Sequence, residues 1–259
     1  MTGLRERQVF CLFLGAGFNW CGSANCQFLT SPKRGTYTRC STYPMAKTQA
    51  MSVTVGITGA SGAVYAQALL RMLDRDTRVD HVYLVASDAG LRLVASELGL
   101  VASEPKKLGG MITGTAAAKI ETLPNKDIGA SIASGSAPVD AMVVIPCSAG
   151  AIGAIAAGTA ADLLTRSADV CLKERRPLVL CLRETPLNRI HLENMLRVND
   201  AGAVVMPAMP AFYYEPKTIQ DLVEQYACRV LAQIGLPQEK QYVWKGGATG
   251  TSDSGKKKG

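Results

Sequence analysis

Five short runs dominated by apolar and β-branched residues, each followed by a stretch with helical spacing, constrain this chain most. The runs are residues 53–58, 81–86, 141–145, 178–182 and 203–206. The later ones lack the polar alternation of a half-exposed strand, as strands buried on both faces do. Residues 63–73, 88–98, 153–173 (with a break expected near Gly158), 187–199 and 218–234 carry apolar residues at helical intervals. Asp88 is placed to cap the second helix, and Thr218 with Asp221 has the form of a capping box. Strand–helix alternation of this kind predicts an α/β fold, a single-domain, Rossmann-like, doubly wound parallel sheet. Ligands of such sheets bind beyond the carboxyl ends of the strands, so the chemistry is expected in the loops there.

The first run ends in Gly56-Ile57-Thr58-Gly59-Ala60-Ser61-Gly62 and enters a helix directly. This is neither the dinucleotide fingerprint nor a Walker loop, since Ala63 stands where a P-loop lysine would fall. Its physics still suits a phosphate. Gly59 and Ala60 let backbone amides approach an anion, the helix N-terminus favours negative charge, and Ser61 adds a hydroxyl. A tight turn with no ligand explains the same glycines. Similar small, donor-rich loops hold Ser87, then Ser148, Ala149, Gly150 and Ala151, and also Ser134 within 133–136.

Charged residues narrow the reading. Arg166 and Lys173, seven apart, share a helix face. Arg175 and Arg176 at the end of that helix are explained as complements of its dipole. Arg183 and Glu184 differ, because they directly follow the 178–182 run. An Arg and a Glu at a strand's carboxyl end are placed to hold an anion and to transfer a proton. Tyr213 after the last strand and Arg229 on the final helix are placed to complete such a site. For Glu97, a solvated helix face and a proton relay are equally compatible with position.

The net charge of +7 does not make this a nucleic-acid binder. Removing ten basic and two acidic residues of the two ends from totals of 28 and 21 leaves 18 and 19 in residues 51–244. The middle of the chain thus carries no phosphate-binding excess. The cysteines form no CxxC and only two histidines exist, so no zinc-ligand spacing is present and no metal site is expected. Cys147, Cys171, Cys181 and Cys228 sit in apolar runs typical of buried thiols. Residues 141–161 approach the ~20-residue span of a membrane helix, but Pro146, Gly150, Gly153 and Gly158 interrupt them, and no span is expected. Residues 1–50, poor in acids and rich in Ser, Thr, Cys and Arg, resemble an organellar presequence and suggest a mitochondrial location. A short secretory segment, or a true start at Met45 or Met51, explains them too. Residues 245–259 read as a solvated tail.

Taken together, GITGASG, CSAGAIGAIA, LTRSADVCLKERRPLVL, RETPL with IHLENML, GAVVMPAMPAFY and RVLAQIG resemble the UbiX-type flavin prenyltransferases, once called phenylacrylic acid decarboxylases. The resemblance runs from about Val53 to Gly235. It implies a flavoprotein of the homo-oligomeric flavin-containing Cys decarboxylase-like fold, a dodecamer, which joins the dimethylallyl group of dimethylallyl monophosphate to N5 and C6 of reduced FMN without a metal. Its prenylated product would pass to a UbiD-type decarboxylase, with ubiquinone biosynthesis one of the pathways so served. By the same resemblance, Gly59, Ala60, Ser61, Ser87, Ser148, Ala149, Gly150, Ala151, Arg166 and Arg183 would hold FMN. Ser134, Lys173, Tyr213 and Arg229 would gather around the donor phosphate, some of them supplied by a neighbouring subunit. Glu184 would give a proton to the departing phosphate and Glu97 would assist proton movement. One departure is Ile128, where many members have a tryptophan. The rival readings are a cysteine- or phosphopantothenoyl-type decarboxylase, which needs a histidine near the flavin, and a non-catalytic flavin-binding partner.

Overall fold

A computed structural model describes residues 50–100 and 107–244. The presequence and tail readings fall outside these residues. Six strands, β1 (Met51–Ile57), β2 (Val79–Ala86), β3 (Ile120–Pro124), β4 (Ala141–Cys147), β5 (Leu178–Leu182) and β6 (Val204–Val205), form one parallel sheet in the order β3-β2-β1-β4-β5-β6. The helices are α1 (Ala63–Arg75), α2 (Asp88–Leu98), α3 (Leu108–Thr113), α4 (Ala149–Ala156), α5 (Leu163–Lys173), α6 (Arg189–Asp200) and α7 (Ile219–Gln233). Successive strands step outward from β1 on one side and from β4 on the other. The chain therefore changes direction between β1 and β4, where sheets of this kind open a crevice at their carboxyl edge.

Every side chain of β4 and β5 is buried, which is why these strands show apolar runs without alternation. One apolar layer packs β1, β2 and β4 against α1, α3 and α7; the other packs α4, α5 and α6 on the opposite face. Cys147, Cys171, Cys181 and Cys228 are buried free thiols, and burial pushes those of Cys171 and Cys181 up to about 12. They fill the core as small apolar groups and supply no thiolate at neutral pH.

The break in the 153–173 helix is real and has two parts. Gly158 takes φ +66, which ends α4, and Asp162 then caps α5 in a reciprocal box with Thr165. The long uncharged stretch is thus a strand plus a two-turn helix. Among the described residues no helix is long and apolar enough to cross a membrane. Thr218 caps α7 with Asp221, as its spacing predicts.

Three expectations change. Ser87, not Asp88, caps α2; its Oγ accepts from the Gly90 amide at 3.0 Å, and Asp88 becomes the first helical residue, where its charge meets the helix's positive end. The last strand shrinks to Val204 and Val205. The sheet also gains β3, preceded by α3, from a region with no strong apolar signal.

Candidate active site

The 58–62 loop after β1 and the 147–148 turn after β4 face each other where the sheet changes direction, and Thr58 ties them together. Its Oγ1 donates to Pro146 O at 2.9 Å and accepts from the Ser148 amide at 2.7 Å, while its own amide donates to Pro146 O at 3.2 Å. Thr58 is buried, so these bonds are shielded from water. Replacing it with valine leaves the Ser148 amide without this partner at almost unchanged volume. Thr58→Val is expected to lower unfolding free energy by about 1–3 kcal/mol, read from urea denaturation of the ligand-free protein.

Among the helices that begin at this edge are α1 after Gly62, α2 after Ser87 and α4 after Ser148. Ser148 Oγ accepts from the Ala151 amide at 3.2 Å, as Ser87 does from Gly90. Close packing forces the glycines here. A Cβ at Gly59 would lie 2.5 Å from the Ala89 Cβ, and Gly62 takes φ +121, where side chains are strained. The result is a set of amides and positive helix ends directed at one crevice, a surface suited to a phosphate.

Glu97, on α2, sits on the first of these ends. Its carboxylate accepts from the Gly62 amide at 2.9 Å and the Ala63 amide at 2.7 Å. Burial pushes its carboxyl up, but the Ser61 hydroxyl, the two amides and the Arg183 charge outweigh that and hold it below its ordinary 4.5. Glu97 is thus neither a purely solvated face residue nor a neutral acid, and at neutral pH it can accept a proton but has none to give. A depressed folded value stabilises the fold above pH 4.5, and the contribution is lost as pH falls through the folded value. The stability difference between the protein and Glu97→Gln is therefore expected to be full at neutral pH and to shrink on acidification, measured by urea midpoints across pH.

Arg183 follows β5 and is fixed beside β4 by its amide, which donates to Cys147 O at 2.9 Å. Its guanidinium Nε is buried and finds no hydrogen-bond partner among the described residues. A buried charged donor left unpaired is costly, so the site fits a ligand that brings an acceptor. Glu184, next in the chain, is half-buried, and its Oε1 accepts from the Thr185 amide at 3.0 Å. Donor and acid thus leave the same strand end as neighbours.

The four residues grouped around the donor phosphate divide within one chain. The Leu163 amide at the start of α5 donates at 2.8 Å to Asn125 O, just past the carboxyl end of β3, so α5 runs antiparallel to the strands. Its 11 residues carry Lys173 about 15 Å toward the amino edge of the sheet. There Lys173 pairs with Glu174 and lies against the Ser134–Ser136 loop, where a Cβ on Gly135 would come within 2.6 Å of Lys173 Nζ. Arg176 holds the same loop through Gly135 O at 2.6 Å. Arg166, one turn into α5, donates to Ala133 O at 3.1 Å and to Asp169 at 2.7 Å. Tyr213 and Arg229, by contrast, line one cleft together.

Sequence reasoning missed Thr58, two residues at that cleft, Gln225 and Tyr242, and Trp244, whose ring centre lies 6.0 Å from that of Tyr213. Thr58 carries one of the two hydroxyls inside GITGASG, beside Ser61, and so had a signal in the sequence; the C-terminal aromatics had none. Ile128 is largely exposed in the loop after β3. Both histidines have partners: His81 pairs with Glu121 at 2.9 Å, and His191 completes the capping box of α6 with Asn188. Among the described residues no cluster of His, Cys, Asp and Glu could hold a metal.

A doubly wound sheet with an anion cradle at its change of direction and a half-buried arginine beside it defines a nucleotide-binding protein of the flavoprotein class, and residues 41–230 match the family model described as Flavoprotein. Flavin prenyltransferase UbiX of Pseudomonas aeruginosa is 41% identical over 195 residues, 74% of this chain and 93% of the relative. UbiX of Salmonella typhimurium is 44% identical over 194 residues, 74% of this chain and 97% of the relative. A UbiX solved with FMN and dimethylallyl pyrophosphate superposes with a TM-score of 0.68 at 36% identity, over 77% of this chain and all of that one. A dodecameric FMN-dependent UbiX-like decarboxylase from Escherichia coli gives the same TM-score at 39% identity, over 76% of this chain and 100% of that chain. The chain belongs to the UbiX-type flavin prenyltransferase family.

Proposed function

We propose that this protein joins the dimethylallyl group of dimethylallyl monophosphate to N5 and C6 of reduced FMN, and that its site is completed between protomers. The observation that carries the reading is the buried, unpartnered Arg183 Nε beside Glu184 at the crevice. When bound, FMN would supply N5, which takes the carbon freed as the allylic C–O bond breaks, and C6, which bonds the far alkene carbon as the central alkene carbon gains a proton and C6 loses its own. Gly59, Ala60, Ser61, Ser87 and the residues Ser148, Ala149, Gly150 and Ala151 line the flavin and its phosphate with amides and small side chains. Arg183 binds the flavin as a buried donor. Arg166 acts only indirectly, by holding the carbonyl of Ala133 and with it the Ser134 loop.

Tyr213 and Arg229 of one protomer, with Lys173 and Ser134 of a neighbour, hold the donor phosphate. Breaking the allylic bond builds negative charge on that phosphate, and preorganised Arg and Lys donors stabilise it in a dry site. Glu184 gives its proton to the leaving phosphate. Glu97, ionised on the α1 end, is placed to take up a proton near the flavin. The separation of Lys173 from Tyr213 within one chain and the dodecameric relative support an oligomer, which we take to be a dodecamer. We further propose that the product serves a UbiD-type decarboxylase in quinone synthesis, and that residues 1–50 direct the chain to mitochondria on the strength of their composition.

Phosphate release tests the reaction. Incubated without oxygen with dimethylallyl monophosphate, the protein is expected to liberate inorganic phosphate only when reduced FMN is present. Release that is independent of flavin, or no release at all, contradicts it.

A further inference from the structure

The chain beyond α7 turns back toward the site. It is anchored first at the end of α1. Arg78 donates to Pro237 O at 3.1 Å, and Gln238 Nε2 donates to Asp76 Oδ2 at 3.0 Å. The Arg78 guanidinium holds the Asp76 carboxyl far below the usual carboxylate range, so this anchor stays charged. From there residues 238–242 run back along α7 to Gln225. Its Nε2 donates to Lys240 O at 2.8 Å and its Oε1 accepts from the Tyr242 amide at 2.9 Å. A single side-chain amide thus grips both sides of residue 241.

That grip delivers an aromatic ring to the candidate donor site. The Tyr242 ring centre lies 5.3 Å from that of Tyr213 and 5.9 Å from that of Tyr214, in the range of favourable ring contacts. Met209, Tyr213, Tyr226, Arg229 and Tyr242 enclose a cleft with about 10 Å³ of free space, the room of about one water. A five-carbon allylic chain needs several times the ~30 Å³ share of a water molecule. The cleft is thus filled by its own side chains, and a donor chain would lie against its outer face; Met209, Tyr213 and Tyr242 of that wall belong to neither the sheet nor a helix, and Tyr242 is the one that the Gln225 strap holds in place.

We propose that Gln225 is a positioning residue that holds Tyr242 against Tyr213 as the outer wall of the prenyl-donor site, and that Tyr242 thereby limits the length of the allylic chain accepted. The inference rests on the assignment of Tyr213 and Arg229 to the donor. Gln225 acts through the strap, by its bonds to Lys240 O and the Tyr242 amide. The ring rather than the hydroxyl of Tyr242 makes the contacts with Tyr213 and Tyr214.

The test compares dimethylallyl monophosphate with geranyl monophosphate, in binding by calorimetry and in turnover, on the intact FMN-loaded protein. Gln225→Ala is expected to raise KM for the short donor about tenfold while kcat and FMN affinity stay within about twofold, since uniform donor binding is what is lost. Tyr242→Ala is expected to shift preference toward the ten-carbon donor by about tenfold or more. Tyr242→Phe, which keeps the ring, is expected to recover the preference for the short donor. Unchanged KM and donor preference in folded Gln225→Ala and Tyr242→Ala overturn the proposal, as does a loss of FMN affinity parallel to that of donor affinity. Should Gln225→Ala unfold, Tyr242→Ala, which trims a partly exposed ring and leaves the backbone clamp intact, decides alone. If the protein binds the donors but turns over neither, prenyl transfer is wrong and the strap is judged on the binding ratios. If it binds neither donor, both fail.

Discussion

Glu184→Gln is expected to lower kcat about 10²–10³-fold while leaving FMN affinity within about twofold of the parent. The substitution preserves length and shape, and an amide oxygen can still accept from the Thr185 amide as Oε1 does at 3.0 Å. What it removes is the ability to pass a proton to phosphate as the allylic C–O bond opens. Each tenfold corresponds to about 1.4 kcal/mol of barrier, so the loss asked of this one group is about 3–4 kcal/mol. Burst and steady-state phosphate release with saturating donor measures it. Turnover equal to that of the parent removes Glu184 from the role of proton donor and leaves the leaving group to water or to a neighbouring subunit.

Arg183→Leu should show opposite effects on binding and on stability. With Nε buried and unpartnered in the ligand-free fold, the guanidinium costs stability there, and an apolar side chain relieves that cost. Ligand-free Arg183→Leu is therefore expected to melt at or above the temperature of the parent. FMN affinity is expected to fall about 30–200-fold, the 2–3 kcal/mol of a charge-assisted hydrogen bond. Arg183→Lys is expected to recover little, because a compact ammonium does not reproduce the planar donor set of a guanidinium. Fluorescence titration of FMN and thermal unfolding without FMN read the two effects separately. A melt lowered in step with affinity would mean that Arg183 is a structural residue whose loss damages the crevice.

What the sequence disclosed follows the range of the interactions. β4 and β5 were legible because burial on both faces writes an unbroken apolar run, and β1 because its β-branched residues lead into the glycine loop. The α7 cap was legible because Thr218 and Asp221 are three residues apart. β3 was not, since an edge strand with exposed Glu121 and Pro124 pairs through backbone bonds to β2 alone. Glu97 was ambiguous because its partners Gly62 and Ala63 lie 35 and 34 residues away and meet it only once α2 packs beside α1. The same holds for Tyr242, which reaches Tyr213 by a strap clamped at Gln225, 17 residues back.

The candidate site was legible as a set of residue types and not as an arrangement. Arg183 lies near Glu97, which holds the Gly62 amide of the 58–62 loop, and Glu184 follows Arg183 in the chain. Lys173 and Tyr213 carry compatible chemistry, but the direction of α5 sends Lys173 to the other edge of the sheet. Helical spacing placed Arg166 and Lys173 on one face without saying toward which edge that helix runs.

The most direct test is the mass of the flavin itself. Purified protein, incubated without oxygen with reduced FMN and dimethylallyl monophosphate and then denatured, is expected to release a flavin heavier by one prenyl unit, with the added carbons bonded at N5 and C6. FMN recovered at unchanged mass, with donor and protein intact, would contradict the account.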